Sequence, residues 1–290
     1  MIARLLRRAV VLAGVAGAVN AVELSVSDIA APTPAPAGEQ RPGQLPGSRI
    51  ARGAGNIAAV WLGGPTSRYA HGVLGDRIEA SRLVVQTDTG VTLALELPPS
   101  RVFEDLQPRL ADLNNDGVVS ILLVETDTKR GASLAVYAVE NERIVRRSMT
   151  PFLGLPHRWL NPLGVGDFDG DGRTDIALVA TPHIGGRLRL YRNTAPVLSQ
   201  FAEATGVSTH SIGSRELGLG RVVANADRDR LLLPNQSHDA LLLLEWTPAG
   251  IKELARQALP APILTSLQST GANRWRFQTA DGRHLEVRVH

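Results

Sequence analysis

Asp167-Phe-Asp-Gly-Asp-Gly-Arg-Thr-Asp175, running directly into Ile176-Ala-Leu-Val179, decides how this chain folds. Oxygen side chains recur at loop positions 1, 3, 5 and 9, with glycine at position 6. That spacing wraps a tight loop around a hard cation, since calcium takes six to eight oxygens at about 2.3–2.6 Å. Glycine permits the sharp backbone turn where a side chain would clash. Asp112-Leu-Asn-Asn-Asp-Gly-Val-Val-Ser120 repeats the pattern and is followed by Ile121-Leu-Leu-Val124. An EF-hand would place glutamate at position 12 and a helix beyond it. Leu123 and Leu178 occupy position 12 here, and the segments that follow read as strands, so these loops are not EF-hands.

Working outward, the chain repeats one plan: an apolar strand, a polar turn, a second apolar strand, a turn with Gly or Asp, then a third strand. Units start near Val73, Leu110, Gly164, Val222 and Leu267. Their second and third strands read Leu83 to Leu97, Ile121 to Val139, Ile176 to Tyr191, Leu231 to Trp246 and Trp275 to Val289. Strand repeats of roughly 40–50 residues are the signature of a β-propeller. The last unit is one strand short of four, and Ile57 to Leu62 is expected to complete it, which would leave no open edge. The expectation is an all-β chain forming a five-bladed β-propeller closed by its N- and C-terminal strands. A two-sheet sandwich is the alternative.

The third unit resembles the FG-GAP/VCBS repeat family, the units of integrin-α-type propellers. The likeness is specific over residues 164–191 and good over 110–139. Asn225-Ala-Asp-Arg-Asp-Arg230 keeps only the first three oxygens, and the units at Val73 and Leu267 have no such set. The resemblance implies calcium loops joining the first and second strands of a blade. In the third unit the ligands are Asp167, Asp169, Asp171 and Asp175 with the carbonyl of Arg173. In the second they are Asp112, Asn114, Asp116 and Ser120 with the carbonyl of Val118, a less charged and weaker set. A structural calcium ion is expected; a solvated Asp-Gly turn is the plainer reading.

Arg4, Arg7 and Arg8 precede the apolar run Ala9 to Val19 and the small-residue site Val19-Asn20-Ala21. Residues 1–21 therefore read as a signal peptide, and the protein as periplasmic or extracellular. The run is too short for a membrane span, which needs about 20 residues. Residues 22–55, rich in Pro, Ala and Gly, read as a disordered leader, and 56–290 as the propeller domain. The formal net charge is +3, and loss of the three leader arginines brings it to balance, which argues against a nucleic-acid partner. There is no cysteine, which excludes disulfides, thiolate metal sites and a cysteine nucleophile.

Three linkers into the innermost strands are polar or aromatic: Phe103-Glu104-Asp105, His157-Arg158-Trp159 and Ser214-Arg215-Glu216. They should lie on the face opposite the calcium loops, with the turns of His183 and His238. Glu104, Asp105, His157, Arg158, Trp159, His183, Arg215 and Glu216 are the ligand-binding candidates. A protein or glycan partner fits such a rigid concave face. Packing between repeats is the competing account of these residues. The seven histidines show no metal-ligand spacing, and no nucleophile elbow is present. A binding or scaffolding module is the expected function; a hydrolase using Glu104 and Glu216 as acid and base is the alternative.

Overall fold

The computed structural model describes residues 22–33, 38–53 and 55–290. The signal-peptide reading of residues 1–21 lies outside the described residues. The described chain is all-β, with strands β1 to β21 arranged in antiparallel sheets. Among the described residues, no helix is long and apolar enough to cross a membrane.

Each two-strand unit read from the sequence is an antiparallel hairpin. They are β4 (Glu79–Thr87) with β5 (Thr92–Glu96), β8 (Ser120–Asp127) with β9 (Gly131–Glu140), and β12 (Asp175–Ala180) with β13 (Arg187–Arg192). The others are β16 (Arg230–Pro234) with β17 (Ala240–Thr247) and β20 (Arg274–Gln278) with β21 (His284–Val289). A strand lies on each side of every hairpin after the first. Thus β11 (Leu160–Gly166) and β14 (Ser199–Thr205) flank the third, and β15 (Arg221–Val223) and β18 (Gly250–Ala258) flank the fourth. The first two hairpins belong to one nine-stranded sheet, because β6 (Arg101–Phe103) bridges β4 and β8. There β2 (Ala51–Arg52) and β3 (Ile57–Thr66) precede β4, while β7 (Arg109–Ala111) and β10 (Arg143–Met149) flank β8 and β9.

The edge that ends the chain is closed, but not by the expected segment. β3 pairs with β4 and β2 instead. β1 (Leu24–Asp28) pairs with β21, Leu24 opposite Val289, giving the order β1-β21-β20-β19, where β19 is Gln268–Gly271. This strand forms within the stretch expected to be a disordered leader. Its period of two explains why: Leu24 is buried with the core of this sheet and Val26 packs against it, while Ser27 faces water.

Middle strands bury both faces because sheets pack on either side of them. All eight residues of β8 are buried, and it carries the continuous apolar run Ile121–Val124 rather than an alternation. The outer strand β5 instead alternates exposed and half-buried residues. Three apolar clusters glue neighbouring sheets. One spans Leu83, Leu123, Tyr137 and Leu178, a second joins Val179 and Leu190 to Leu233 and Leu244, and a third links Leu243 to Phe277 and Val287.

Candidate functional site

The strand register fixes two opposite ends. In the sheet of the third hairpin Gly166 pairs with Asp175 at one end, and Leu160 with Ala180 at the other. The acidic loop leaves from the first end. The His157–Trp159 linker and the His183 turn lie at the second, about 20 Å away at 3.3 Å per residue.

The acidic loop is pre-shaped by its own carboxylates. Asp167 Oδ1 accepts the Gly170 and Asp171 amides at 2.8 and 3.1 Å, and its Oδ2 accepts the Gly172 amide at 2.9 Å. Gly172 sits at φ +81°, as does Gly117 in the second loop, which is the left-handed turn that position 6 demands. Oxygens of Asp167, Asp169 and Asp175 come within 4.8 Å of one another, the only such group of three among the described residues. Asp175 is 2% exposed, and its Oδ2 has no hydrogen-bond partner. Burial, then the charges of Asp169 and Asp171, push the Asp175 carboxyl up to about 7. Arg192 reaches Asp169 at 2.6 Å but leaves Asp175 unpaired. The triad can hold a metal ion. Of the four carboxylates expected to converge, Asp171 stands apart from that group, with its Oδ1 accepting the Arg173 amide at 2.9 Å.

The second loop follows the same plan with less charge. Asp112 accepts the amides of Asn114, Asp116 and Gly117, which hold its carboxyl below the usual range. Asp116 accepts the Val118 amide at 2.8 Å, and Ser120 is buried at the start of β8. Asn114 Oδ1 accepts from Asn193 at 3.0 Å, which links this loop to the sheet of the third hairpin. The degenerate fourth loop is a brace: Asp229 Oδ2 accepts the Asp167 amide at 3.0 Å.

At the other end, the linkers interlock. Glu104 is fully buried; His71 Nδ1 approaches its Oε1 at 2.5 Å, and the Thr126 hydroxyl donates to its Oε2 at 2.7 Å. Trp159, also buried, donates its indole N–H to the Glu104 carbonyl. Asp105 caps the Leu106 amide and pairs with Arg109 at 2.8 Å. These three candidates are therefore built into the scaffold. His157 and Arg215 are exposed, whereas Arg158, His183 and Glu216 are partly open. Arg215 pairs with Asp76 at 2.9 Å, and Glu216 Oε2 accepts the Ser266 amide at 2.9 Å. Glu104 and Glu216 thus sit in separate hydrogen-bond networks.

Sequence spacing missed a gathering of imidazoles at this end. His71 stacks on His157 at 5.0 Å between ring centres. His183 Nε2 lies 2.8 Å from His210 Nδ1, and Trp159 packs against both rings. His238 Nδ1 lies 3.2 Å from the Ser211 hydroxyl. All five occupy turns or linkers, which was the available signal. Burial and then neighbouring histidines lower His183 to about 4 and His210 to about 3. Beside them Glu79, 1% exposed with an unpartnered Oε1, is pushed up to about 10 by burial and then by Glu104. At neutral pH His183, His210 and Glu79 are uncharged.

A cavity of about 560 Å³ runs between the sheets, lined by Arg49, Arg109, Gly164, Arg221 and Gln268 among others. Each of the five comes from the leading strand, or the approach to it, of a different hairpin unit. No protein-family model matches the chain, and a search of curated proteins finds no match.

Proposed function

We propose that this chain is an exported, calcium-stabilised β-propeller of five four-stranded blades, akin to FG-GAP/VCBS repeats, that serves as a binding or scaffolding module. The observation that carries it is the cavity whose wall takes one segment from each of five units, as the central channel of a wheel requires. Pairing of β1 with β21 supports closure of the last blade by the N-terminal strand. The Asp167, Asp169 and Asp175 triad supports the ion, because a cation among them would let the buried Asp175 carboxyl, whose Oδ2 has no donor, ionise at neutral pH. A bound calcium ion would offset most of the negative charge of the loop that joins β11 to β12.

Recognition is assigned to the linker end. Leu155, Ile184, Ile212 and Leu264 are 57%, 61%, 71% and 50% exposed there, on the linkers and the β12–β13 turn. Exposed apolar groups around the neutral imidazoles of His183 and His210 suit a protein partner better than catalysis. The separate networks of Glu104 and Glu216 also weigh against the hydrolase alternative.

Calcium titration followed by thermal unfolding tests the reading. At a hundredfold excess over its dissociation constant the ion contributes about 2.7 kcal/mol, so melting rises by about 5–10 °C. Asp169→Ala with Asp171→Ala abolishes the rise. An equal melting temperature with calcium and with chelator in the parent protein would sink it.

A further inference from the structure

We infer that the central cavity binds a small organic oxyanion, a carboxylate or a phosphate ester. This rests on the proposed module and names the chemistry of one of its ligands. Four arginines reach the cavity wall, Arg49, Arg109, Arg215 and Arg221, against a single carboxylate, Glu216. Two are already neutralised: Arg109 by Asp105 at 2.8 Å and Arg215 by Asp76 at 2.9 Å. Two guanidinium groups, Arg49 and Arg221, then face one acid.

Their hydrogen bonding is incomplete as well. Arg221 donates to the carbonyls of Gly218 at 3.0 Å, Gly220 at 2.8 Å and Leu267. A guanidinium has five N–H donors, so two remain. Those three carbonyls hold it in place, as a preorganised anion receptor needs. Arg49 has no ion-pair partner among the described residues. The two repel each other: burial, then the Arg49 charge, lowers the Arg221 affinity for its proton. An oxyanion between them would relieve that repulsion and take up the spare donors, for which forked guanidinium geometry is suited.

The volume is in the range of small-molecule pockets, about 300–1,000 Å³. Leu106, Leu110 and Leu163 supply apolar wall between the arginines, so the ligand has a carbon body as well as a charge.

Isothermal titration of the calcium-loaded protein with citrate, glucose 6-phosphate, inorganic phosphate and glucose tests this. Citrate or glucose 6-phosphate binds, more tightly than inorganic phosphate, and glucose does not. Arg49→Gln weakens binding about tenfold or more. Arg221→Gln does the same, with its melting temperature followed because its carbonyl contacts are lost. Arg77→Gln, exposed and outside the cavity wall, changes nothing. Silence from both organic anions at millimolar concentration overturns the inference, as does unchanged affinity in folded Arg49→Gln. Inorganic phosphate binding as tightly as the organic anions overturns the organic assignment. Calcium stabilisation retained without anion binding removes this inference alone; calcium stabilisation lost removes the underlying module.

Discussion

The Trp159 indole nitrogen lies 2.9 Å from the Glu104 carbonyl oxygen, so the linker entering the third hairpin unit is bolted to the linker entering the second. Trp159→Phe keeps the ring but leaves that buried carbonyl unpaired. A loss of about 1–3 kcal/mol is expected in urea unfolding. A loss below measurement error would show that the indole serves by packing alone.

Asp175→Asn should act with opposite signs in two conditions. With chelator, the variant melts higher than the parent, because the buried unpartnered charge is gone. With calcium it melts lower, because a ligand of the triad is lost. The same sign in both conditions would refute an ion at the triad.

Glu79 titrates far above its ordinary 4.5, at about 10. The folded state therefore holds a proton that the unfolded chain releases. The penalty is absent below about pH 4.5, grows as pH rises, and levels off above about 10. At pH 7 it amounts to at most about 3 kcal/mol, at about 1.4 kcal/mol per pH unit. Glu79→Gln, which imitates the protonated acid, raises stability at pH 7 and leaves it unchanged at pH 4. Equal stability of parent and variant at both values would contradict a protonated Glu79.

The imidazoles work in the reverse direction. His183 and His210 are held neutral, with values of about 4 and 3 against an ordinary 6.5. Their contribution is present above pH 6.5 and is lost as pH falls toward 4 and 3. His210→Gln removes one of these groups, and its stability falls less steeply between pH 6.5 and 4 than the parent's. Chemical denaturation at stepped pH measures both slopes.

Leu24 is 4% exposed although it lies in the N-terminal strand of a composition otherwise read as leader. Leu24→Ala should cost about 2 kcal/mol or more by opening a cavity in the last sheet. A cost near zero would mean that β1 adds nothing to closure.

The hairpins were legible because each is a local pattern: two apolar runs joined by a Gly or Asp turn, as in Ile176 to Tyr191. The acidic cradle was legible for the same reason, since all its oxygens lie within nine consecutive residues. Even there, only the folded loop turned Asp171 away from the triad. The closing strand was misplaced because Leu24–Asp28 and Ile57–Thr66 are both plausible edge strands. Nothing local says which of them meets β21.

By itself, then, the order of residues determined the strand character, the hairpin boundaries and the acidic loops, all products of short-range sterics, periodicity and charge spacing. Tertiary structure alone decided that His71 and Glu104 meet, that five imidazoles gather at one end, and that Arg49 and Arg221 face a common cavity. Those contacts join residues far apart in the chain. They exist only because packed sheets bury both faces of their middle strands and so force the connecting segments to the two ends.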